Sequence, residues 1–386
     1  MKKTALVLSG GAFHGAFQVG ALKYLKENWP QLGLGHSEMK FDLVSGVSVG
    51  ALNGLFVALD DCKALIELWQ RVGENGVREI FDSDFIDTRV NQNDPDPKFK
   101  LQLDWQAVKK HFPGATKNLL LRALFNRKKI FEAFSEDFQR FDALADNSPL
   151  KDILLQYAKK SNIKGSSYTC GYVSLTDGRY HSSRHNDFTT DEDFAKGVLA
   201  STAMPVIWSP VDQVSTSGSV HRQCVDGGLR DVSPLGDVIR DIAKDPEPSE
   251  YTIVIINCSA RTLVEAPDDP MNIAQIALRS LTEIAINEIF NHDLKEFIDK
   301  NFILKQIQDK YPGEVIYDYD QESGGKGKPL RYFNSIIIQP DSDTLGDSLT
   351  INRALLERRI KLGEEKARLA VAKYLEVRNA SRFTVT

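Results

Sequence analysis

Twice near the start of the chain, a short β-forming apolar run breaks into glycines and resumes as an apolar helical pattern, and this repeat narrows the fold more than any other feature. Thr4–Leu8 leads into Ser9–Gly15 and then Ala16–Lys26, with Val19, Leu22 and Leu25 on one helical face. Phe41–Val44 leads into Gly46–Gly50 and then Ala51–Leu59. Strand, tight turn and helix in that order, repeated, imply a parallel sheet with helices on its faces. Both turns then fall at the carboxyl ends of strands, where open α/β sheets place their ligands.

Beyond this start, the pattern predicts a core over residues 1–248 with a helical insertion at about 83–147. Residues 249–386 are expected to complete the same domain with a strand and helices. Ser167–Ser174 and Tyr180–Ser183 read as strands around a Thr176-Asp177-Gly178 turn, and Tyr251–Asn257 as a buried central strand. Met271–Gln308 reads as helical, Ser323–Lys328 as a surface loop and Asn334–Gln339 as a closing strand. Two last helices, Ile351–Lys361 and Glu364–Leu375, are expected to break at Gly363.

Composition excludes several functions. A net charge of −5 over 386 residues leaves no basic field to gather nucleic acid, so no nucleic-acid partner is expected. The four cysteines form no C-x-x-C pair, which excludes a zinc ribbon and suits buried thiols in a reducing, cytoplasmic setting. Met1-Lys2-Lys3 and the following apolar run imitate a secretion signal, but Ser9-Gly10-Gly11 interrupts that run, and it reads as a buried strand. No stretch reaches the roughly 20 apolar residues of a membrane span. Leu119–Leu121, Leu124-Phe125 and Ile130-Phe131 interleave with Arg122 and Arg127-Lys128-Lys129. Such a segment can lie peripherally on an anionic membrane or pack as a cover over the sheet.

Gly46-Val47-Ser48-Val49-Gly50 has the form and context of a turn that presents a nucleophilic serine at the top of a sheet. Its bland alternative is a βα turn in which Ser48 caps the next helix. Ser9–Gly15 can form a nest of backbone N–H groups. A phosphate loop would need Lys-Ser or Lys-Thr where Ala16-Phe17 stands, and a dinucleotide fingerprint fails at Ala12, so neither a nucleotide nor any other cofactor is expected. An oxyanion hole for a carbonyl attacked by Ser48 remains. None of the seven histidines occupies an evident triad position, and no metal set is evident. Asp226, in Val225-Asp226-Gly227-Gly228, is the best candidate base, against the alternative of an Asx turn. It would need partial dehydration to act near neutral pH.

At these residues the sequence resembles the patatin-like phospholipases. Leu8–Gly20 is similar to the family's oxyanion block, Gly46–Gly50 to its nucleophile turn and Asp226-Gly227-Gly228 to its Asp-Gly-Gly motif. Ser148-Pro149-Leu150-Lys151, Ala200–Pro205 and Ser209-Pro210-Val211 agree as well. The resemblance implies a three-layer α/β/α sandwich with a mainly parallel sheet. It further implies a metal-free serine lipid acyl hydrolase acting on phospholipids or other acyl-ester lipids. Ser48 would be the nucleophile and Asp226 the base, with N–H groups around Gly10, Gly11 and Ala12 holding the oxyanion. A silent binding module for an anionic ligand, or an acyltransferase with the same nucleophile, are the competing expectations. Two positions depart from the family. Ala12 replaces a third glycine, which costs about 1–2 kcal/mol if φ is positive there. His14 replaces an Arg or Lys, from which a pH-dependent positive field behind the oxyanion hole is expected. Phe13 and Phe17 are expected to pack against the sheet and not to line the site. Oligomeric state is not legible.

Overall fold

The computed structural model describes residues 1–84, 86, 91–92, 94–97, 143–247, 249–260, 276, 279–320, 323–341 and 344–383. Most of the expected insertion, including the basic and apolar segment around Leu119–Phe131, lies outside the described residues. Among those described, no helix is long and apolar enough to cross a membrane.

Strand β1 (Lys2–Leu8) divides two cores. Leu6 and Leu8 enter the larger core, while Ala5 and Val7 enter the smaller one on the opposite face. A strand buried on both faces reads as an unbroken apolar run, which is why Thr4–Leu8 lacks polar alternation. The chain continues through the glycine-rich turn into α1 (Gly15–Leu32), which ends on Gly33 at φ 60°. Strand β2 (Leu43–Val47) runs parallel to β1 with Gly46 opposite Leu8, and leads into α2 (Val49–Ala58). Helix α3 (Cys62–Asn75) begins where the Asp61 side chain accepts the Ala64 N–H at 2.9 Å. Next come α4 (Ser148–Tyr157), β3 (Ser167–Ser174), β4 (Arg179–Arg184) and α5 (Asp191–Thr202). Then follow β5 (Val211–Ser215), β6 (Val220–Asp226), α6 (Leu235–Ala243), β7 (Glu250–Ile256) and α7 (Ile286–Lys310). The chain closes with β8 (Tyr317–Asp320), β9 (Gly325–Pro329), β10 (Asn334–Ile338) and α8 (Arg353–Phe383).

The main sheet has the order β10-β7-β1-β2-β3-β6-β5, with β4 also paired to β3. The run from β10 to β3 is parallel, β4 and β6 pair antiparallel with β3, and β5 pairs antiparallel with β6. Side chains from α1, α2, α3, α5 and α8 fill the core on one face, and those of α6 and α7 fill the other. This is the expected α/β sandwich with a mostly parallel sheet. Strand β7 sits between β1 and the edge strand β10, so residues beyond 248 supply one side of the sheet.

Two expectations need correction. The terminal helix runs through Gly363 without a break. A Cβ on Gly363 would stand 2.0 Å from the Phe17 carbonyl oxygen, and one on Gly20 would stand 1.9 Å from that of Ile360. The glycines let α1 and α8 approach backbone to backbone, and packing outweighs glycine's poor helix propensity. The segment Ser323–Lys328 is no plain loop, because Gly325 to Lys328 belong to the β8–β9 hairpin.

The site follows from register. Residues Thr169–Gly171 pair with both β2 and β4, and Tyr172–Ser174 pair with both β4 and β6. A strand has two edges, so β2 and β6 must share the edge of β3 that β4 leaves open. Strand β2 ends at Val47 opposite Gly171, and β6, running the other way, ends at Asp226 opposite Tyr172. The two strands therefore meet end to end, and the residue after Val47 is Ser48.

Candidate active site

Ser48 sits between β2 and α2 at φ 57° and ψ −130°, a conformation that costs a non-glycine residue on the order of 1–3 kcal/mol. Neighbouring glycines make the turn possible. A Cβ on Gly46 would lie 2.2 Å from the Gly50 carbonyl oxygen, and one on Gly50 equally close to that of Leu8. The strain aims a largely buried hydroxyl, in a residue 8% exposed, at the sheet end. The Ser48 N–H donates to Ser201 Oγ at 3.0 Å. Two residues on, the Ala203 carbonyl accepts the Asp226 N–H at 2.9 Å. The Ser201-Thr202-Ala203 segment at the end of α5 thus holds both strand ends in place.

Asp226 is equally buried, and its Oδ1 accepts the Gly228 N–H at 2.7 Å. Loss of water raises its pKa most strongly, and hydrogen bonds from the Ser48 side chain and the Gly228 amide pull it back, leaving it at about 6. That places the carboxylate where it can take a proton at neutral pH. Two of the described histidines are engaged away from Ser48: His185 accepts the Tyr168 N–H at 3.2 Å, and His36 Nε2 lies 3.2 Å from Asp42.

Of the three amides expected around an oxyanion, the Gly10 N–H already donates to Val232 O at 2.9 Å. Among the described residues, no acceptor meets the Gly11 or Ala12 N–H. Gly11 adopts φ 150° and ψ 22°, and a Cβ there would stand 2.6 Å from that of Cys258. Ala12 has φ 46°, so alanine carries the strain that a glycine would avoid. Relief of about 1–2 kcal/mol exceeds the about 0.4–1 kcal/mol of extra unfolded-state entropy. Ala12→Gly is therefore expected to raise stability by about 0.5–1 kcal/mol, read as a higher urea midpoint at unchanged slope.

A buried polar chain supports this loop. Gln18 Nε2 donates to Ser9 O at 2.8 Å, Asn53 Nδ2 to Gln18 Oε1 at 2.8 Å, and Trp69 Nε1 to Asn53 Oδ1 at 2.9 Å. Ser9 Oγ accepts the Cys258 N–H at 2.9 Å. None of these residues stood out in the sequence, although Gln18 and Asn53 are polar residues inside otherwise apolar helical runs, which is a readable signal.

The expected titrating field at His14 is overturned. Loss of hydration and the nearby Arg359 charge lower its pKa to about 3, against a hydrogen bond from Nε2 to the Gly346 carbonyl at 2.8 Å. His14 is neutral across the working range. The permanent charge comes instead from α8. Arg359 is fully buried and donates to the Phe13 carbonyl at 3.2 Å, within the glycine-rich loop. It also donates to Leu345 O at 2.8 Å, Thr350 O at 3.1 Å and Asp347 O at 2.6 Å. The Phe13 N–H donates in turn to Ser348 O at 3.0 Å, so residues 345–350 and Arg359 together stitch the loop to the end of the chain.

Beside Ser48 lies a narrow apolar cavity of about 50 Å³, whose walls include Ala12, Phe13, Leu52, Trp69 and Trp208. Phe17 packs in the core as expected, but Phe13 faces this cavity and so lines the site after all.

A family model described as patatin-like phospholipase matches residues 6–239. No curated protein matches the chain. The crystal structure of VipD from Legionella pneumophila is similar at 15% identity and a TM-score of 0.39, over 97% of this chain and 67% of that one. The family match spans more than half of the chain and takes in the Ser9–Gly15, Ser48 and Asp226 turns, and the protein belongs to the patatin-like phospholipase family.

Proposed function

We propose that the protein is a serine lipid acyl hydrolase in which Ser48 and Asp226 form the catalytic dyad. What supports this reading is one juxtaposition: a strained serine and a buried carboxylate at facing strand ends, beside unengaged amides and an apolar cavity. The ester carbonyl of a phospholipid or other acyl-ester lipid is placed with its acyl chain toward Phe13, Trp69 and Trp208. Ser48 Oγ attacks the carbonyl carbon as Asp226 accepts the hydroxyl proton. The Gly11 and Ala12 N–H groups stabilise the oxyanion, each by about 3 kcal/mol as in other serine hydrolases. Collapse expels the alcohol, which takes the proton from Asp226, and leaves an acyl-Ser48. Water, deprotonated by Asp226, then releases the fatty acid and restores the serine. Arg359 acts as a positioning residue: it fixes the Phe13 carbonyl, and its charge adds a constant positive potential behind the amides.

The reading is tested by fatty-acid release from a panel of phospholipids and neutral acyl esters, with release expected from at least one class. Its pH dependence is also fixed. The base must be ionised, so kcat/KM is expected to rise about tenfold per pH unit below about 6 and to level off above it. Because His14 does not titrate in that range, His14→Gln should leave the midpoint in place. A midpoint that moved with His14→Gln would return the controlling charge to residue 14.

A further inference from the structure

A second constellation lies at the β3–β4 hairpin. Asp177 stands in the turn, His181 on β4 and His221 on β6. Because β4 and β6 occupy opposite edges of β3, the cluster bridges across that strand. Both imidazoles pack against the ring of Tyr172, with centroids 6.1 Å away for His181 and 5.7 Å for His221. The two imidazole centroids are 3.9 Å apart, and His181 Nε2 lies 2.9 Å from Asp177 Oδ2. One donor atom from each of the three residues falls within 4.8 Å of the others. Ser219 Oγ contacts His221 Nε2 at 2.8 Å, an outer-shell contact of the kind that orients a ligating imidazole.

We propose that Asp177, His181 and His221 bind one divalent transition cation of the zinc type, with a fourth position open to solvent. Two imidazole nitrogens and one carboxylate oxygen suit a borderline cation, whereas magnesium and calcium take oxygen sets. A tetrahedral cation about 2.0 Å from each donor holds neighbouring donors about 3.3 Å apart. The His181–Asp177 pair therefore needs to open by only a few tenths of an ångström. Room for the fourth ligand exists in an adjoining polar cavity of about 500 Å³, whose walls include both histidines, Ser183, Asp187 and Ser217. The bound cation ties β4 to β6, the strand that ends in Asp226. This site uses none of the groups assigned to the Ser48 chemistry, so either assignment can fail without the other.

Titration of the metal-stripped intact chain with Zn²⁺, followed by calorimetry, tests it, with Co²⁺ as a spectroscopic probe of the nitrogen ligands. The expected result is one ion per chain and a raised melting temperature. His181→Ala and His221→Ala should each weaken binding by at least about 100-fold, and Ser219→Ala by about 10-fold. Asp177 is exposed on its turn, so Asp177→Asn tests the oxygen ligand without disturbing the fold and should weaken binding at least about 10-fold. A wild-type chain that takes up no Zn²⁺, or a His181→Ala/His221→Ala double variant with wild-type affinity and Co²⁺ spectrum, overturns the proposal.

Discussion

Replacing Ser48 with alanine is expected to lower kcat/KM for acyl-ester hydrolysis by at least about 10⁴-fold, with an unchanged circular dichroism spectrum and little change in urea midpoint. The side chain is small and its backbone N–H, which holds Ser201, is retained. Asp226→Asn should fall to a similar level, because the amide keeps an oxygen to accept the Gly228 N–H but cannot take the serine's proton. The two changes address one proton transfer, so the double variant should be no slower than either single one. Initial rates on the responsive lipid class check this. Additive losses would mean that the two residues act in separate steps.

The second large effect is expected at Arg359. Arg359→Met leaves four carbonyl oxygens without their buried donor, among them that of Phe13. At about 1–3 kcal/mol for each group left unsatisfied, with partial relaxation, a loss of about 3–5 kcal/mol is expected in denaturant unfolding. In the fraction that remains folded at low temperature, kcat should fall at least about 10-fold with KM nearly unchanged. This split arises because a displaced Ala12–Phe13 loop weakens binding of the oxyanion more than of the ground-state ester. Arg359→Lys retains the charge with three donors in place of five and should recover part of kcat. If Arg359→Met lost stability while kcat per folded molecule stayed at the wild-type value, the arginine would be purely structural.

The parts of this site that depend on neighbouring residues could be read directly. Gly46–Gly50, Ser9–Gly15 and Asp226-Gly227-Gly228 each need particular residue types within a few positions, because a tight turn leaves no room for others. The parallel half of the sheet was legible for the same reason, since strands buried on both faces are unbroken apolar runs. The antiparallel half was harder. Strands β5 and β6 carry exposed polar residues such as Asp212, Gln213, Arg222 and Gln223, which look like loop in a one-dimensional pattern. Only their register with β3 reveals that Asp226 faces the Ser48 turn.

Long-range partnership was not legible at all. Arg359 looks like one more cation on an amphipathic helix until the Phe13 carbonyl is seen against it, 346 residues away in sequence. Nor could the sequence show that His14 would lose its water and share space with that guanidinium, which inverts the expected charge logic. Gly363 misled in a related way. A helix-breaking residue by propensity serves there as the contact point for a second helix, a use that depends on Phe17.

Whether Ser48 is the nucleophile is tested by site mapping with mass spectrometry after treatment with a fluorophosphonate, which reports a hydroxyl activated beside an oxyanion hole. One adduct is expected, on the peptide carrying Ser48, formed much more slowly in Asp226→Asn. An unmodified Ser48, with ester hydrolysis still proceeding or the adduct on another residue, would contradict it.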